Sequence, residues 1–202
     1  MESNGFNLND EPIEMMHPFE VDLNCLVIIN YKYTLDGLER DENRTMLAAE
    51  SLGDEGDPEM VSSILDAERR PFDEFRIAAR NLAMVALVTR FHHWVSAYAR
   101  RIDAVRKRGV SLRKELDFLK REIGEGPENA SYFLALAEVR NSVIHGDSQR
   151  TWDYNGETRE VELRYARTPY QVEVSEQDLA EAIQKTVTQI KWYDQKLMSL
   201  NK

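Results

Sequence analysis

Between Pro71 and Lys107 the apolar residues return every three or four positions, as Phe72, Phe75, Ala79, Leu82, Ala86, Phe91, Tyr98, Ile102 and Val105. Side chains regain the same helix face after 3.6 residues, so this spacing predicts one helix of roughly ten turns. Pro71 suits its first turn and Gly109 its stop. Within it, Leu82–Val88 is apolar on every side, which places the segment at the centre of the molecule. A chain built around such a helix must cover it with other elements.

Those elements are mainly helical by the same criterion. Leu23, Val27, Tyr31 and Leu38 predict a helix from Phe19 to about Leu38, after a mobile lead-in over residues 1–18. Gly53–Pro58 reads as an acidic loop, followed by a short helix near residues 59–69. Ser111 can cap a helix carrying Leu112, Leu116, Leu119 and Ile123 on one face. After the break at residues 124–127, a helix spans Glu128 to His145 and stops at Gly146. The period then falls to two around Trp152, Tyr154, Val161, Leu163, Tyr165, Tyr170, Val172 and Val174. Asn155-Gly156 signals a type I′ turn there, so a small β-hairpin is expected. Ser175-Glu-Gln-Asp178 opens a last helix striped with Leu179, Ile183, Val187, Ile190, Leu197 and Leu200. The expected class is mainly all-α, with residues 1–70 a helical extension packed on a main domain of residues 71–202.

Charge narrows the partners. The chain of 202 residues has a net charge of −10, which argues against a protein coated by nucleic acid over its whole surface. Yet residues 100–121 hold nine Lys or Arg against three acids. That stripe reads either as a solvated helix face or as a phosphate-binding patch, with Arg106, Lys107, Arg108, Arg113 and Lys114 as its candidates for RNA. The lone Cys25 sits in the apolar run Cys-Leu-Val-Ile-Ile and reads as a buried structural thiol, in keeping with a reducing cytoplasm. No apolar run approaches a membrane span, and the acidic start predicts no secretory leader.

Gly-rich phosphate loops, Cys-x-x-Cys pairs, His-Glu-x-x-His and the Gly-x-Ser-x-Gly elbow are all missing. His92 and His93 point about 100° apart on a helix and read as core or surface residues. What remains is Arg140-Asn-Ser-Val-Ile-His145. Asn141 and His145 share a helix face, so the amide can orient the imidazole. Arg140 lies about 140° round the axis from His145, so either the last turn distorts or a second copy completes the site.

This Arg-Asn-x-x-x-His pattern on a late helix resembles the HEPN superfamily, and Ala83–Trp94 resembles that family's long early helix. The resemblance covers roughly residues 71–200. It implies a HEPN-like helical bundle, a homodimer with facing motifs, and a metal-independent endoribonuclease that needs no cofactor. By that resemblance His145 acts as general base or acid, Arg140 binds the scissile phosphate, and Asn141 fixes the imidazole or contacts phosphate. The product would carry a 2′,3′-cyclic phosphate. A toxin or antiphage effector held by an inhibitory, antitoxin-like protein fits this reading. The alternative is an inactive HEPN-like binding or dimerisation module, in which Arg140 pairs with Glu138 or Asp147.

Overall fold

A computed structural model describes residues 16–53, 58–127, 130–145, 151–154, 157–160 and 173–200. It is mostly helical. Among the described residues the order is α1 (Pro18–Leu23), a π-helical turn (Asn24–Ile28), α2 (Ile29–Gly53), α3 (Pro58–Ile102), α4 (Leu112–Ile123), α5 (Ala130–His145), β1 (Thr151–Tyr154), β2 (Glu157–Glu160) and α6 (Glu176–Leu200). β1 and β2 pair antiparallel, with Thr151 opposite Glu160 and Tyr154 opposite Glu157. The Asn155-Gly156 turn and the alternating segment over residues 161–172 lie outside the described residues, as do Gly146 and Asp147.

The central helix is longer at one end and shorter at the other than its apolar spacing predicts. α3 starts at Pro58 and runs unbroken through Pro71, so position 70 lies inside a helix. An interior proline removes one hydrogen bond and costs about 3 kcal/mol. Here the orphaned carbonyl belongs to Ala67, on an exposed stretch where water can bind it. α3 then stops at Ile102 instead of Lys107, because Asp103 folds the chain into a turn. Its backbone oxygen accepts from the Arg106 N–H at 3.1 Å and its Oδ1 from the Val105 N–H at 3.2 Å. Gly109, at φ 75°, lies in the loop beyond and not at the helix end.

α3 is the spine on which α1, α2, α4, α5 and α6 all pack. Met84, Leu87, Val88, Phe91, Val95 and Tyr98 form its buried face, joined by Phe19, Leu119, Phe133, Leu136, Ile190 and Tyr193. Each such side chain contributes about 1.5–3 kcal/mol when taken fully out of water. Leu82 is 65% exposed, so the run Leu82–Val88 is not buried all round. The lead-in is also anchored earlier than expected. Met16 is buried, and His17 caps α1 by accepting from the Phe19 N–H at 3.1 Å.

A further departure lies in the π-helical turn. Its Ile29 N–H reaches back to the Asn24 carbonyl, a wider loop than an α-turn. Val27 and Ile28 turn inward while Cys25 and Leu26 are left exposed, so Cys25 is a surface thiol and not a core one. α6 is set by two devices. Ser175 and Asp178 form a reciprocal cap, at 3.0 Å and 3.1 Å. Arg80 Nε donates to the Val174 carbonyl at 2.9 Å, and Asn81 Oδ1 accepts the Val174 N–H at 3.0 Å. No helix among the described residues is long and apolar enough to cross a membrane.

Candidate functional site

α5 is amphipathic in an unusual way. Tyr132, Phe133, Leu136 and Val139 bury into the core, while Ser131, Leu134, Ala137, Glu138, Arg140 and Asn141 line a cleft. The cleft has a volume of about 590 Å³, and its other walls are His92 of α3 and Ser111, Leu112 and Arg113 at the start of α4. Ser111 occupies the N-cap position of α4, but its hydroxyl makes no capping bond.

Arg140 and Asn141 are engaged with each other. The Arg140 Nη2 donates to the Asn141 amide oxygen at 2.9 Å and the Nε to the same atom at 3.3 Å. Asn141 therefore steers the guanidinium through this oxygen, and the expected contact of its amide with His145 lies outside the described residues. A neutral acceptor aims the cation without cancelling its charge, and two of five donors are used. His145 ends α5, and its side chain falls outside the described residues.

The structure adds a residue that the sequence reading set aside. His92 Nε2 donates to the Val110 carbonyl at 2.9 Å, and its half-buried ring lines the same cleft as Arg140. Burial holds the imidazole below its ordinary pKa, and the charge of Arg140 pushes it the same way against the Val110 hydrogen bond. Nothing in the local sequence marks His92 over His93. Only the side of α3 that meets α5 distinguishes them, since His93 is exposed.

The basic stripe divides. Arg106 was expected to be exposed, but its side chain is 16% exposed and bonds Glu115 at 2.6 Å. Glu115 is 1% exposed. The Arg106 guanidinium also donates to the Lys114 carbonyl at 3.2 Å and lies 3.9 Å from the centre of the Phe118 ring. It is a pin that fastens the loop after α3 to α4. Lys107, Arg108, Arg113 and Lys114 are exposed, and of these Arg113 reaches the cleft. Among the described residues no group of three or more His, Cys, Asp or Glu side chains could hold a metal ion. No family model, curated protein or solved structure matches the chain.

Proposed function

We propose that this chain is a metal-independent endoribonuclease of the HEPN type that leaves a 2′,3′-cyclic phosphate. The carrying observation is Arg140, whose planar cation is aimed by the Asn141 amide oxygen in a polar cleft that also receives Arg113. A fork of charged donors suits a phosphodiester in a way that a single ammonium does not. His145, five residues on, supplies proton transfer at the ribose or the leaving oxygen. RNA reaches the cleft along Lys107, Arg108, Arg113 and Lys114. Two chains pair through α5, a reading supported by Ile144, which lies one turn from Arg140 and is 56% exposed. An effector of this kind works in growth arrest or antiphage defence under an inhibitory protein.

The test is cleavage of total RNA by the purified chain, freed of any inhibitory partner, with and without EDTA, and with its mass read by sedimentation. Arg140→Ala and His145→Ala each lose about 10²–10⁴-fold in rate while remaining folded dimers. Arg140→Lys recovers little. Cleavage that EDTA stops, or a wild-type chain that cuts no RNA, overturns the reading.

A further inference from the structure

We propose that His92 is a second proton-transfer residue of this cleft, taking the 2′-hydroxyl proton of RNA held at Arg140 on its Nδ1. The inference rests on the ribonuclease reading and assigns the base within it. A carbonyl oxygen only accepts, so the 2.9 Å contact with Val110 requires the proton on Nε2. In the neutral ring, Nδ1 then carries the lone pair. The tautomer is thus set by backbone, as catalytic imidazoles require, and the ring stands in the cleft that holds the Arg140 guanidinium.

The charged groups around the ring agree with a base. Arg140 from α5 and the neighbouring His93 disfavour the imidazolium, Glu115 from α4 favours it, and burial outweighs each of them. Arg113 and Glu138 line the same cleft. The net direction keeps His92 neutral at pH 7, ready to accept.

The step balances with two histidines. The O2′ proton passes to His92 Nδ1 as the O2′ electron pair forms the bond to phosphorus. The bond from phosphorus to O5′ breaks, and O5′ keeps that pair and takes a proton from the His145 imidazolium. The products are a 2′,3′-cyclic phosphate and a 5′-hydroxyl, with the spent proton returned through solvent. Burial favours the neutral imidazole at position 92, which suits the accepting role.

The experiment is the pH–rate profile of single-turnover cleavage of a short RNA by the full chain, wild type against His92→Gln. Glutamine keeps an N–H able to meet Val110 but cannot take the proton. The expected result is a 10²–10⁴-fold loss with the acid limb of the profile gone, and with RNA affinity and urea midpoint unchanged. His92→Gly should regain part of the rate in added imidazole. His92→Gln within about threefold of wild type, beside inactive Arg140→Ala and His145→Ala, overturns the proposal and leaves the ribonuclease reading standing. A wild-type chain that cuts no RNA overturns both. If His92→Gln lowers the urea midpoint, the wild type decides. The acid-limb midpoint must equal the His92 pKa read by NMR of the imidazole, and a mismatch overturns the assignment.

Discussion

His92 and Trp94 are two residues apart on α3 and point about 200° apart around its axis, and the polar clusters they anchor differ in kind. Around Trp94 each carboxylate is held by a donor from another helix or from the α1 cap. Trp94 Nε1 donates to Asp22 at 3.0 Å, Lys191 bonds Glu20 at 2.8 Å, and Asp194 receives both His17 and Arg101. Around His92 the cleft gathers Arg113 and Arg140 beside one carboxylate, Glu138. The first cluster clasps α1 and α6 onto α3. The second leaves a guanidinium hydrogen-bonded to a neutral amide. Mutual engagement marks the first cluster as a joint, whereas the described walls of the second carry two guanidiniums and one carboxylate.

The sharpest test of that contrast is the pin between them. Arg106→Ala leaves Glu115 buried without its cation, and should cost about 3 kcal/mol of folding free energy in urea denaturation. A loss under about 1 kcal/mol would return Arg106 to the exposed stripe. Next, Asp194→Ala should cost about 1 kcal/mol, since it leaves the His17 ring without its acceptor while Arg101 stays solvated. Arg140→Ala should stay within about 0.5 kcal/mol of wild type, because its hydrogen bonds among the described residues go to the neutral Asn141 amide. A destabilised Arg140→Ala would erase the distinction between the clusters. Smallest in stability, Lys107→Glu with Arg108→Glu should leave the urea midpoint alone. It should weaken RNA binding and lower the slope of log affinity against log salt by about 0.7 per lost phosphate contact. An unchanged slope would make those two residues ordinary solvated surface.

Much of the helical order was legible because it depends on spacing that any water-soluble packing must respect. The stripe of α4 and the Ser175–Asp178 cap of α6 are examples. What was illegible depends on neighbours. Pro71 looked like a start because the local rule penalises interior proline, and only the exposure of its turn shows why the helix continues. Cys25 looked buried because it sits in an apolar run, but the helix turns Leu23, Val27 and Ile28 inward and leaves Cys25 outside. At the site, Arg140 and Asn141 stood out as a pair in the sequence. His92 lies 48 residues from Arg140 and shares no motif with it, so only folding brings it to the cleft.

The clasp at Asp194 also sets a timetable. His17 and Asp194 are separated by 177 positions, so the first described helix waits for the last described one. α1 gains Trp94 early, but the hundred residues between Trp94 and Asp194 take about 5–20 seconds to synthesise at ordinary elongation rates. Apart from His92, every described wall of the cleft lies between Ser111 and Asn141 and leaves the ribosome within that interval. During synthesis, therefore, the cleft walls are assembled on a scaffold whose two ends are still unfastened, and the clasp closes only with the final turns of α6.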